Sequence, residues 1–281
     1  MDILMLIPAS LVVFALGASI GSFINVVVYR VPAGLSVLFP PSRCPHCLNQ
    51  LKAYDNVPVL GWLWLKGRCR FCKSKISMRY PVVEFVTGLL FLILFWIFQF
   101  SALTVGYWIF CSWLLALSLI DFDTMTLPNP LTKSGLVLGV IFQTILGFIN
   151  SNNLDSWTSA VNSLFLAVLG GVVGIWLFDA IAFTASIVFQ KQAMGGGDAK
   201  LAAMMGAWLG WKHLLLASFL ACVAGVVVGI GAMMLPSQKS RKAQQQWGNK
   251  MPFGPFLALG SLITLFIGET LISSYLELFP K

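Results

Sequence analysis

The chain has 281 residues, 58% of them hydrophobic and only 10% charged, with a formal net charge of +8. That composition excludes an ordinary soluble globular domain. The positive charge invites a nucleic-acid partner, but its placement excludes one: nine of the 18 Lys/Arg fall between Arg30 and Arg79, and four more are Lys239, Arg241, Lys242 and Lys250, all in polar connections between long apolar runs.

About 20 helical residues cross roughly 30 Å of hydrocarbon. By that measure the apolar runs predict eight spans, at about 3–28, 82–100, 103–120, 135–149, 160–182, 199–211, 213–235 and 253–273. The first run follows Asp2 rather than a basic stretch and is too long for a signal-peptide core, so it reads as a retained helix. The expected fold is an all-α polytopic membrane protein: a first transmembrane helix (1–28), a small cytoplasmic zinc-ribbon-like insert (29–81) and a seven-helix membrane domain (82–281). With the N-terminus outside, the inner connections hold 16 of the 18 Lys/Arg, leaving Lys212 and Lys281 outside. That orients the insert to the cytoplasm of a bacterial inner membrane. The run 160–189 is too long for one upright helix, whose end is expected to tilt or lie on the surface. The run 199–210 is short, about 18 Å. No internal repeat is evident, and the Asn/Ser-rich stretch 150–157 reads as a loop.

Within the insert, Cys44-Pro-His-Cys47 and Cys69-Arg-Phe-Cys72 form two CxxC pairs separated by 21 residues. This spacing predicts a closed four-thiolate zinc site that supports folding rather than catalysis. Its charge of about −2 would be offset by Arg43, Lys66, Arg68, Arg70 and Lys73, and the insert's cations would also meet anionic lipid head groups. His46 reads as a solvated neighbour. Cys111 and Cys222 read as core residues of spans.

Of the ten acidic residues, Glu84, Asp121, Asp123, Asp179 and Asp198 lie in or beside apolar runs. A carboxylate deep in a span costs about 2.5–3.5 kcal/mol and usually marks function. Asp121 and Asp123 are two apart, so only one faces a given helical partner. The span carrying them is broken by Pro128-Asn129-Pro130. Asp198 follows Gly195-Gly196-Gly197, glycines that open backbone conformations closed to other residues and allow close approach of another chain. Asp198 reads equally as a helix N-cap and as a catalyst. Asp121 and Asp198 both fall at inner span ends, with Asp179 as a rival partner. Two carboxylates brought together share a proton, so one activates water while the other polarises a scissile carbonyl.

In these residues the sequence resembles the type IV prepilin peptidases, or prepilin leader peptidase/N-methyltransferases, over most of its length. The resemblance rests on Gly21-Ser22-Phe23-Ile24-Asn25 continuing to Arg30, the Cys pairs, Arg79-Tyr80-Pro81-Val82-Val83-Glu84, Asp121 with Leu127-Pro128-Asn129, Gly195-Gly196-Gly197-Asp198, and Pro252-Phe253-Gly254-Pro255. It implies that Asp121 and Asp198 are the catalytic pair. It implies cytoplasmic cleavage, after a glycine, of the short basic leader of type IV prepilins or pseudopilins. It further implies N-methylation of the new terminus from S-adenosyl-L-methionine, placed near Gly67, Arg68 and Glu84. For Glu84 a plain helix-terminal acid is the competing reading. The rival readings of the chain are a transporter or proton channel with a zinc-binding regulatory insert, and a catalytically silent assembly protein.

Overall fold

The computed structural model describes residues 3–149, 156–190, 195–234 and 252–278. Asp2, Asp155 and most of its loop, Lys191 to Met194, Lys281 and nearly all of the connection carrying Lys239, Arg241, Lys242 and Lys250 lie outside the described residues. Among those described, seven helices are long and apolar enough to cross a membrane. Strand pairing there is limited to two isolated bridges in the insert.

The chain forms two compact units, Met1–Ala116 and Leu117–Lys281. In the first, helix α1 (Ile3–Arg30) packs along α3 (Arg79–Phe98). The approach is close because the facing positions are glycines. A Cβ on Gly17 would stand 2.9 Å from Gly88 Cα, and one on Gly21 would stand 2.8 Å from Glu84 Cα. Small residues at such crossings are how helices associate where lipid removes the hydrophobic driving force. Val13, Phe91 and Phe95 form the buried cluster, with Trp108 stacked on Phe91 at 5.0 Å and donating its indole N–H to the Phe91 carbonyl. Between α1 and α3 lie a 3-10 turn (Ala53–Asn56) and the short helix α2 (Leu60–Trp64). Helix α4 (Ala102–Thr124) starts in this unit and ends in the next.

The second unit continues with α5 (Asn129–Ile149), α6 (Ser156–Phe189), α7 (Gly196–Met234) and α8 (Gly254–Glu277), and α7 packs against the other three. Helix α6 runs 34 residues without interruption, about 51 Å at 1.5 Å per residue. The span expected at 160–182 therefore extends to Phe189 as one helix. The eight expected spans map onto seven helices because the sixth and seventh are two arms of α7. They are divided at Gly210, whose φ of 78° and ψ of 165° are not helical. In a straight helix Gly206 and Leu214 would be about 12 Å apart along the axis. Instead a Leu214 methyl lies 3.1 Å from where a Gly206 Cβ would stand, so the chain turns sharply at Gly210. Only glycine takes that left-handed φ without strain.

Trp208, 2% exposed, locks the first arm of α7 to α5. Its indole donates to the Gly135 carbonyl at 2.8 Å and stacks on Phe142 at 5.2 Å, and its ring fills the space a Gly139 Cβ would need. Cys111 is buried as expected. Cys222 is exposed on α7 and is not a core residue, because its position falls on the outward face of that helix.

Candidate functional site

Helix α4 ends one residue before Met125, whose φ of 53° takes the chain out of the helix while its N–H still bonds to the Asp121 carbonyl at 2.9 Å. Proline at 128 and 130 then starts α5 at Asn129. Asp121 is thereby placed in the last turn of α4. Its side chain is buried, and its Oδ2 accepts the Gly254 N–H at 2.8 Å. That donor is one of the unpaired amides at the start of α8, where proline follows at the first helical turn. Asp123, two residues on, is exposed, as the helical offset requires.

Asp198 stands in the first turn of α7, which begins at Gly196. It lies inside the helix, not at the N-cap, because the turn closes earlier, through its own N–H to the Gly195 carbonyl at 3.2 Å. Two contacts bring this helix start to the Asp121 segment. A Cβ on Gly197 would meet Leu127 Cβ at 3.1 Å, and Lys200 Nζ donates to Asn129 Oδ1 at 2.6 Å. Asp198 is partly buried. Asp179, the rival partner, is exposed on α6.

Of the two uses expected of the three glycines, room for approach is present at two of them. None of them has a positive φ, so conformational freedom is not their use. A side chain on Gly195 or Gly196 would project into open space, whereas Gly197 is packed on Leu127. Free approach therefore belongs to Gly195 and Gly196.

In the insert, the sulfurs of Cys44, Cys47, Cys69 and Cys72 all lie within 4.8 Å of one another, with Cys44 to Cys72 at 3.7 Å and Cys47 to Cys69 at 3.9 Å. Four sulfurs about 2.3 Å from a tetrahedral zinc are roughly 3.8 Å apart, so the cluster fits that ion. Backbone N–H groups of Cys47 and His46 hold the Cys44 thiol down at about 6. For Cys47 the Asn49 N–H likewise pulls down, but burial and the neighbouring sulfurs push it up to about 11. Such crowding of thiolates calls for a cation. The Ser74 hydroxyl, 3.1 Å from Cys72 and 3.7 Å from Cys44, adds an outer contact that sequence reading missed.

The two knuckles are also one structure built twice, a repeat the sequence alone does not reveal. Cys44 N–H bonds to Asn49 O and Leu48 N–H to Cys44 O, and 25 residues later Cys69 N–H bonds to Ser74 O and Lys73 N–H to Cys69 O. Leu48 and Lys73 share φ values of 58° and 59°, and Arg43 bridges Gln50 as Arg68 bridges Lys75. His46 is exposed, as expected.

Glu84 is buried at the α1–α3 contact, accepting from the Val59 N–H at 2.7 Å. It lies beyond the first turn of α3, so the helix-terminal reading does not describe it. Asn25 donates to the Tyr80 carbonyl at 3.2 Å. The Gly21–Asn25 and Arg79–Glu84 motifs therefore face each other. Gly67 and Arg68 lie past the other end of α2, Gly67 against the Trp62 ring and Arg68 exposed. Glu84 is thus engaged at one end of the five-residue helix α2, and Gly67 and Arg68 follow the other.

Long apolar helices bearing two carboxylates near their ends, with a four-thiolate insert, define a polytopic membrane protein of the aspartyl-peptidase class. Residues 15–98 match the bacterial peptidase A24 N-terminal domain and residues 108–230 match the type IV leader peptidase family. The chain is 38% identical over 286 residues to a prepilin leader peptidase/N-methyltransferase of Stutzerimonas stutzeri, covering 93% of this chain and 92% of the relative. It is 34% identical to proteins of the same name from Pseudomonas aeruginosa (93% and 91% covered) and Aeromonas hydrophila (95% and 93%). No solved structure matches it. The chain belongs to the type IV leader peptidase family.

Proposed function

We propose that this chain removes the short basic leader of type IV prepilins or pseudopilins, with Asp121 and Asp198 as the acid–base pair, and then N-methylates the exposed terminus. The carrying observation is that the helix start bearing Asp198 packs, through Gly197 on Leu127 and Lys200 on Asn129, against the segment that follows an Asp121 held in place by the Gly254 N–H. That bond occupies one Asp121 oxygen and leaves the other to orient a water. Asp121 takes the proton as the water attacks the scissile carbonyl carbon. Asp198, beside the open Gly195 and Gly196, polarises the carbonyl oxygen, and a proton passes to the leaving amine as the C–N bond breaks. Gly195 and Gly196 leave room for an extended substrate segment.

Zinc on Cys44, Cys47, Cys69 and Cys72 is closed to substrate and holds the insert's two knuckles together. S-adenosyl-L-methionine supplies the methyl group in the second activity, on the strength of the family name carried by the relatives. The 16-to-2 Lys/Arg division supports a cytoplasmic insert, cytoplasmic aspartates and an external N-terminus in a bacterial inner membrane. The partners are then prepilin substrates and membrane lipids, with no nucleic acid.

The test is to incubate the detergent-solubilised chain with a prepilin and record masses. Loss of a leader-length fragment is expected, followed by addition of one methyl group when the donor is present. An unchanged prepilin mass overturns the peptidase reading.

A further inference from the structure

The insert is tied to α3 below its end, where the Val59 N–H, just before α2, bonds to Glu84, and α1 is joined to α3 there by Asn25 donating to the Tyr80 carbonyl. Glu84 and Asn25 each lie five residues inside their helix, about 7.5 Å at 1.5 Å per residue. The 20 residues of α3 are enough to cross roughly 30 Å of hydrocarbon, so a contact about 7.5 Å inside its end draws the start of α2 toward the membrane surface. Arg30, the last residue of α1, folds the next loop back onto that helix end, donating to the carbonyls of Ser36, Val37 and Pro40.

At this level large apolar side chains are bare: Leu38 and Phe39 on the loop, and Leu60, Leu63 and Trp64 on α2, with Trp64 84% exposed. A surface facing only water rarely leaves such a set uncovered. Immediately after Trp64 comes a cleft of about 480 Å³ lined by Leu65, Lys66, Arg68, Cys69, Arg70 and Lys73. Arg70 is committed to Asp55, while Lys66, Arg68 and Lys73 are exposed. The seven Lys/Arg between residues 31 and 78 outnumber Asp55 and the charge of a zinc–thiolate centre, so the cleft keeps a positive surplus.

We infer that the insert is an interfacial lipid-binding module: the Lys66–Arg68–Lys73 cleft takes the phosphate of an anionic phospholipid, and Leu63 and Trp64 enter the acyl boundary beside it. The occupant is a membrane lipid because both ends of the insert leave membrane-crossing helices, which hold it against that surface. The pairing of exposed Trp and Leu with Lys and Arg is that of an interfacial segment.

The full chain in detergent, titrated with phosphatidylglycerol or phosphatidylcholine and read by native mass spectrometry, tests this. The expected result is retained phosphatidylglycerol adducts that weaken about tenfold or more in the Lys66→Gln/Arg68→Gln/Lys73→Gln variant, with phosphatidylcholine unaffected. Equal retention by the variant overturns the proposal, as does displacement of the lipid by millimolar inorganic phosphate, which would make the cleft a free-anion site. A second measurement stands whatever the triple variant's folding. In vesicles containing lipid brominated near the head-group end of the acyl chain, the wild type minus Trp64→Phe difference isolates Trp64 fluorescence. Quenching of that difference is expected, and an unquenched difference places α2 in water or against protein and overturns the proposal.

Discussion

The Gly254 amide donates to Asp121 Oδ2 at 2.8 Å, joining the first turn of α8 to a carboxylate 133 residues earlier. A Cβ at 254 would stand 2.8 Å from that oxygen and 3.1 Å from Asp121 Cβ, so any larger residue must displace the carboxylate. Gly254→Ala keeps the amide but pushes the carboxylate aside. Misplacement of a reacting group by about 1 Å costs on the order of 100-fold in rate. The expected outcome is a fall of roughly that size in kcat with little change in KM and with unchanged zinc content. Wild-type kcat would show that Asp121 need not be held there.

Neutralising either member of the pair removes the acid–base cycle. Asp121→Asn and Asp198→Asn are each expected to abolish cleavage of a prepilin in a mass assay while the protein still inserts in membranes. Asp123→Asn, exposed and turned from Asp121, should cleave at close to the wild-type rate. Normal cleavage by Asp198→Asn would remove the aspartate-pair mechanism.

One zinc per chain is expected by elemental analysis, lost in Cys44→Ser. Ser74→Ala should keep the ion but bind it more weakly, by about tenfold, since outer contacts of this kind typically contribute 10–100-fold. A metal-free preparation that is folded and active would rule out the site.

Acid should loosen the insert through Asp55. Its carboxylate is buried and bonded to Arg70 at 2.5 and 3.0 Å, with Lys52 and the Tyr54 ring nearby. The Arg70 guanidinium holds it below its ordinary value of 3.8. The folded form therefore binds the proton less readily than the unfolded form. The stabilisation is complete above the ordinary value and is lost as pH falls through the lowered one. Thiolate protonation also releases zinc in acid, so the comparison that isolates Asp55 is thermal unfolding of wild type against Asp55→Asn across pH. The gap between them should narrow on acidification, and a constant gap would show that the pair adds no pH-dependent stability.

Hydropathy, the CxxC spacing and the isolated carboxylates were readable because each leaves a local mark: a long apolar run, a fixed interval, or a charge where lipid penalises one. What stayed hidden arises from contacts between distant segments. Gly254 beside Asp121, Val59 on Glu84, and the matching turns at Leu48 and Lys73 have no signature within a window of residues. The division of α7 at Gly210 was half visible: two spans were expected there, but a single glycine inside a continuous apolar run does not announce a left-handed turn. The two uses suggested by the glycines before Asp198, backbone freedom and open approach, look alike in a sequence, and only the second has room here, at Gly195 and Gly196.

That distinction sets the last prediction. Gly197→Val is a natural test of substrate approach, yet Leu127 Cβ and Cδ1 stand 3.1 and 3.3 Å from the missing Cβ. A branched side chain there strains the α5 entry next to Asp121, so lost activity would report packing and not access. At Gly196 nothing lies within 4 Å, and its φ is not positive, so valine fits the apo protein there. If the scissile segment passes over this helix start, Gly196→Val blocks it, and the fall should appear mainly as a raised KM for prepilin. Gly196→Ala, adding only one methyl, should show a smaller rise in the same direction, and zinc content should stay at one per chain in both. Wild-type KM in Gly196→Val would mean that the substrate reaches Asp198 from another side. In that case the open space above Gly195 and Gly196 is not its path.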